Sequence, residues 1–161
     1  MTSISAHSLP VAVVFFRDAR ALYGEEGLAP STVHAAGVDL RACLQDGGEV
    51  QIAPGERRSI PSGIAVEPQA PGFAGFVYSR SGLGAVKGLT VAQGVGLIDP
   101  DYRGEILIFL LNTGKETLSV RHGDRVAQLV FQPFAQPAFT VVKALGETER
   151  GGGGFGHTGK R

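Results

Sequence analysis

Glycine and proline break this chain every several residues, and that spacing limits its fold more than any other feature. Twenty-four glycines and nine prolines are spread over 161 residues. In a helix interior a glycine costs about 1 kcal/mol and a proline about 3 kcal/mol, so long helices have few places to form. Between the breaks lie short β-rich runs: VAVVFF (11–16), GVDLRAC (37–43), EVQIA (49–53), GIAVEP (63–68), FAGFVYS (73–79), GLTVA (88–92), EILIFLLN (105–112), TLSVR (117–121), RVAQLVFQPF (125–134) and AFTVVKAL (138–145). Many short strands separated by turn signals predict an all-β chain, a jelly-roll-like barrel or sandwich. The strongest hairpin signal is EILIFLLN-TGKE-TLSV, where Asn112, Gly114 and Lys115 supply the turn. Helical patterning is confined to a turn in RDARALYGEEG (17–27) and one short helix in SGLGAVKG (81–88), with Ser81 as its N-cap.

Residues 1–145 show no linker and no internal repeat, so they read as one β domain. Residues 146–161 are different: GETERGGGGFGHTGKR is a glycine strip that cannot build a core, yet it carries an arginine, a phenylalanine, a histidine and a threonine. A plain flexible terminus needs no phenylalanine, so a lid that orders on binding is the sharper reading.

Fifteen basic residues balance fifteen acidic ones. A generic nucleic-acid binder carries a basic excess, so any polyanion must be met at a local site. The single cysteine, Cys43, leaves no intrachain disulfide and no CxxC metal site. No signal peptide or membrane-length apolar run is evident, which predicts a cytoplasmic protein with no membrane partner. His7, His34, His122 and His157 are scattered, so a zinc held by the protein is not expected. A magnesium ion brought in by phosphates remains open, because that ion keeps its waters and needs few protein ligands.

Four stretches are too polar for their places. YSRSGLGAVKG (78–88) sets Arg80, Ser81 and Gly82 between a strand and a helix start, which makes either an anion site or an ordinary cap with a solvated arginine. GVGLIDPDYRGE (94–105) puts Asp99 at a strand end, either as a general base on water or as turn chemistry. In AGVDLR (36–41), alternation turns Asp39 away from Val38 and Leu40. In GDRVAQLV (123–130), the odd spacing of Arg125 and Gln128 places them on opposite strand faces.

In this order AAGVDLRA, SRSGLGAVKG, QGVGLIDPDYRGE, GDRVAQLVF and RGGGGFGHTG resemble the five motifs of the trimeric dUTP pyrophosphatases, the dUTPases, from about Ala35 to Gly159. The resemblance implies a jelly-roll subunit, a homotrimer with active sites between subunits, and hydrolysis of dUTP to dUMP and pyrophosphate with magnesium on the triphosphate. It implies that Asp99 activates the water that attacks the α-phosphorus, and that Tyr102 packs on the deoxyribose and excludes a ribose 2′-OH. Arg80, Ser81, Gly82 and Gln128 would contact phosphate, and Asp39 would lie near the metal through water. Gln93, Leu97, Ile98 and Leu107 fall in the region that meets the base. Arg150 matches the tail arginine and Phe155 the aromatic that covers uracil, while His157, Thr158 and Gly159 would lie over the phosphates.

Three positions depart from the family pattern. Ser79 stands where proline is usual, which predicts a looser turn; Gln93 replaces asparagine; Gly152 replaces a commonly acidic residue and predicts a more mobile tail. Two other functions compete on the same scaffold: a dCTP deaminase, or a nucleotide-binding regulator without catalysis. The Asp99 turn and the aromatic tail favour hydrolysis over both.

Overall fold

The structure is a computed structural model that describes residues 8–24 and 28–153. Eleven strands dominate it: β1 (Val11–Phe15), β2 (Val38–Arg41), β3 (Glu49–Ile52), β4 (Arg57–Pro61), β5 (Ile64–Pro68), β6 (Phe73–Tyr78), β7 (Leu89–Val91), β8 (Val95–Ile98), β9 (Leu107–Asn112), β10 (Leu118–Arg121) and β11 (Arg125–Pro133). One α-helix, α1 (Ala19–Tyr23), fills the helical turn expected near the start. The expected all-β, jelly-roll-like class holds.

Every strand pair is antiparallel, and no strand pairs with its neighbour in sequence. The order β2-β11-β6-β8 forms one sheet and β4-β9-β7 another, with β1-β5 and β3-β10 as two-stranded ribbons. Sequence-distant pairing of this kind is the mark of Greek-key topology. It also corrects the hairpin expected at residues 105–120. The turn exists, but β9 pairs with β4 and β7 while β10 crosses to β3. Asn112 makes that crossing possible. It is fully buried, its amide donates to Ile52 O and Glu116 O at 2.8 Å each, and its Oδ1 accepts from Gly114 N at 2.9 Å. A side chain that meets its hydrogen-bonding capacity internally can be buried without penalty.

Alternation builds the core. Along β9, Ile108 and Leu110 point inward while Leu107 and Phe109 point out. Leu40, Ile52, Ile60, Ile64, Leu89 and Leu129 join the same cluster from other strands. One strand forms where the sequence marked none, and one expected strand fails, for the same reason. RRSIP (57–61) has little apolar character but forms β4, because β9 offers it a full ladder. AFTVVKAL has the composition of a strand but forms none: Phe139 is 91% exposed and Val141 99%. A strand needs a partner edge, and here the chain provides none.

Tyr23 ties α1 to the sheets. Its hydroxyl donates to Ser62 O at 2.8 Å and accepts from Arg41 N at 3.1 Å, and its ring meets Phe15 at 6.0 Å. Burial, the largest cause, pushes the phenol up to about 12. A raised folded pKa means that this contribution is complete below the ordinary tyrosine value near 10 and is lost as pH climbs towards 12. The stability gap between wild type and Tyr23→Phe should therefore narrow from about pH 8 to about pH 11 in denaturant titrations. A constant gap would show that the phenol is not shielded.

Candidate active site

Two cavities collect most of the candidate residues, and they divide them by chemistry. The first, of about 320 Å³, lies against β8 and β9. Gln93, Leu97, Ile98, Asp99, Tyr102 and Leu107 line it. β8 ends its sheet, so one edge of its backbone has no strand partner, and free N–H and C=O groups there can read a polar ligand edge.

Asp99 follows directly on β8 and is exposed on the cavity rim. Its main chain makes the turn, with Tyr102 N donating to Asp99 O at 3.1 Å. Its carboxylate has no hydrogen-bond partner among the described residues, so it is not spent on capping the turn. Tyr102 is strapped in place: its hydroxyl donates to Glu105 O at 3.1 Å. The Glu105 carboxylate in turn accepts from Gly63 N at 2.6 Å and pairs with Arg17. Gly104 leaves room for this placement, because a Cβ there would force the Tyr102 hydroxyl and ring to shift. Reading the sequence did not single out Gly104 or Glu105; only the Y-R-G-E spacing hints at them.

The second cavity, of about 790 Å³, is polar and lies at the β2–β11 side of the larger sheet. Asp39, Arg80, Ser81, Gly82 and Gln128 line it, joined by Lys87 and Arg125. Arg80 Nε donates to Asp39 Oδ1 at 2.8 Å and Arg125 Nη1 to Oδ2 at 3.2 Å. Three cations face one carboxylate, so the lining carries 3 − 1 = +2 formal charges, as an anion would require. The Gln128 amide donates to Ser79 O at 3.1 Å. Gly37 leaves room for it, since a Cβ there would sit 2.7 Å from Gln128 Oε1.

Two local expectations are corrected. Arg125 and Gln128 reach the same cavity, because a bulge shifts the register between Arg125 and Ala127 and leaves Val126 and Ala127 both buried. An extra residue resets the alternation that the spacing argument relied on. Residues Gly82–Val86 do form one short helix, of π type, but Ser81 makes no side-chain cap; it is already helical at φ −55, ψ −48, so its hydroxyl is left for the cavity.

The two cavities do not merge within one chain. Register aligns Asp39, Gln128, Tyr78 and Val95 across the sheet, while Ile98 lies opposite Gly75. Asp99 thus sits about 13 Å down the sheet from that row and about 14 Å across from Asp39, from strand rise and spacing. Arg150 lines neither cavity; its Nε donates to Gly153 O at 2.9 Å within a local turn. Phe155, His157, Thr158 and Gly159 lie outside the described residues.

A jelly-roll subunit with a largely apolar cleft beside an exposed carboxylate, and a cationic turn elsewhere on the same sheet, defines a β-protein with two separate candidate ligand sites, one of them suited to an anion. The dUTPase family model matches residues 26–159, and the chain belongs to that family. It is 43% identical over 131 residues to the deoxyuridine 5'-triphosphate nucleotidohydrolase of Salmonella typhimurium, covering 81% of this chain and 85% of that one. A dUTPase of Staphylococcus bacteriophage 80alpha, solved with dUpNHpp, superposes with a TM-score of 0.79 at 22% identity, over 93% of this chain and 98% of that one. A dUTPase of phage phi11 of S. aureus, solved to show the coordination of a structural Mg(II) ion, gives 0.71 at 21% identity, over 86% and 99%.

Proposed function

We propose that this chain hydrolyses dUTP to dUMP and pyrophosphate in sites shared between copies of itself. The separation of the two cavities carries this reading. A carboxylate that activates water and a turn that holds phosphate must act on one triphosphate, yet on one protomer they lie at opposite corners of a sheet. A second copy can bring its cationic turn to the first copy's Asp99. The exposed apolar side chains Phe139, Val141, Val142 and Leu145 also favour association, since such a stretch is poorly suited to water. A homotrimer is the assembly the family resemblance implies.

In this reading uracil enters the β8–β9 cavity and is read by the free edge of β8, with Gln93, Leu97, Ile98 and Leu107 around it. A backbone edge set for uracil leaves groups unpaired against cytosine, and a tight wall excludes the thymine methyl. Tyr102 packs on the deoxyribose. Asp99 takes a proton from a water whose oxygen attacks the α-phosphorus; the bond from that phosphorus to the bridging oxygen breaks, and its electrons leave with pyrophosphate. Arg80, Ser81, Gly82 and Gln128 of the polar cavity hold the phosphates as charge shifts onto the leaving group. Arg150, Phe155, His157, Thr158 and Gly159 close over the nucleotide and expel bulk water.

Magnesium fits as an ion carried by the substrate. No group of three or more possible ligands occurs among the described residues, and both oxygens of Asp39 already accept from arginines. Asp39 would meet the ion through water, and the ion would spread the charge of the phosphates. The cytoplasm is the proposed location: the only cysteine, Cys43, is buried and unpaired, as suits a reducing compartment.

The test is pyrophosphate release from dUTP, dTTP, dCTP and UTP, with and without magnesium. Release from dUTP alone supports the reading; ammonia from dCTP, or binding of dUTP without turnover, would replace it. Gly104→Ala offers a finer check, because it should push Tyr102 out of place while leaving the core intact. The ratio of kcat/KM for dUTP to that for UTP should fall about ten-fold or more. An unchanged ratio would remove Tyr102 from sugar selection.

A further inference from the structure

Ser79, expected from sequence to loosen the anion-binding turn, is tied into it twice. Its Oγ accepts from Val91 N at 2.8 Å, and its carbonyl accepts from the Gln128 amide at 3.1 Å. It is the residue between the end of β6 and Arg80, whose own carbonyl accepts from Leu83 N at 3.1 Å and Gly84 N at 2.7 Å to start the π turn. That turn is rich in glycine and has no side-chain cap at Ser81, so it does little to fix its own position. Val91 belongs to β7 and lines the apolar cavity. The Ser79 hydroxyl therefore anchors the cationic turn to the framework of the other cavity. Neither alanine nor proline offers an acceptor there.

We propose that Ser79 is a positioning residue: without touching substrate, its hydroxyl sets where Arg80, Ser81 and Gly82 stand over the polar cavity and so how tightly pyrophosphate and the triphosphate are held. This rests on the dUTP reading. Losing the bond to Val91 N lets the turn shift and leaves that N–H without its partner. The loss should fall on phosphate binding and spare the base and sugar.

The experiment measures pyrophosphate and dUMP binding by calorimetry, KM and kcat for dUTP, and Tm, for the wild type, Ser79→Ala, Ser79→Pro and Ser79→Thr. Pyrophosphate binding and KM should weaken about ten-fold in Ser79→Ala and Ser79→Pro, with dUMP affinity within about two-fold, and Ser79→Thr should restore the wild-type values. If Tm falls but pyrophosphate affinity holds, the hydroxyl is only a structural brace and the proposal is overturned. Ser79→Pro behaving as the wild type would overturn it as well. The binding arm does not need turnover, so it is separate from the functional reading: a wild type that binds pyrophosphate but leaves dUTP intact would sink the activity alone. Should Ser79→Ala fail to fold, Ser79→Cys keeps the volume with a weaker acceptor, and should weaken pyrophosphate binding without changing that of dUMP.

Discussion

Asp99→Asn should cut dUTP turnover by about 10²–10⁴-fold, the usual worth of a general base, while leaving nucleotide affinity within a few-fold. The structure explains why the change should be clean. The turn at Asp99 is closed by its backbone carbonyl, which the substitution does not touch, and the carboxylate has no hydrogen-bond partner among the described residues to lose. Asparagine keeps the shape of the cavity rim and removes only the ability to accept a proton from water. Single-turnover kinetics with dUTP, beside calorimetry with a non-hydrolysable analogue, separate the two effects. Turnover close to that of the wild type would mean that another group activates the water.

Deleting residues 150–161 should lower kcat by about 10²–10³-fold, the scale of losing a positioned donor to the reacting phosphates. Stability should change little. The buried core reaches no further along the chain than Leu129, with Phe131 packed against it, and residues 135–152 are exposed. Arg150 makes its side-chain hydrogen bond to Gly153, inside the deleted stretch, so among the described residues the barrel loses no side-chain bond from Arg150. Light scattering should report the same assembly as the full chain, and Tm should hold. Monomers, or a large drop in Tm, would make the segment part of the scaffold instead of the catalytic machinery.

How much of this was legible in the sequence depends on how local each signal is. The β-rich run EILIFLLN marked β9, because strand-forming composition between turn signals is a property of the segment itself. The same reasoning failed where the outcome depends on a distant partner. It missed β4, whose RRSIP is held by β9, and it placed a strand at AFTVVKAL, which has no edge to join. It built a hairpin from β9 and β10 because neighbours in sequence usually pair, whereas Asn112 sends the chain to another sheet. At the site, motif order pointed to Asp99, Tyr102, Arg80, Ser81, Gly82, Gln128 and Asp39 as candidates, without revealing that they line two separate cavities. Arg125 was set on the wrong face because a bulge cannot be seen in spacing. The Ser79 departure was read as a loss of stiffness because only the fold brings Val91 N to its hydroxyl.

The shared-site claim is tested most directly by mixing two inactive proteins. Asp99→Asn lacks the base and Arg80→Ala lacks the phosphate-holding guanidinium, so each alone should be nearly dead. Unfolded together in equal amounts and refolded, they can form closed rings in which an intact Asp99 faces an intact Arg80 from the next copy; random assembly gives this at about one site in four. Recovery to about a quarter of wild-type turnover is the predicted result. A mixture no more active than its parents, although mass spectrometry shows mixed oligomers, would mean that each chain builds its own site and would contradict the account.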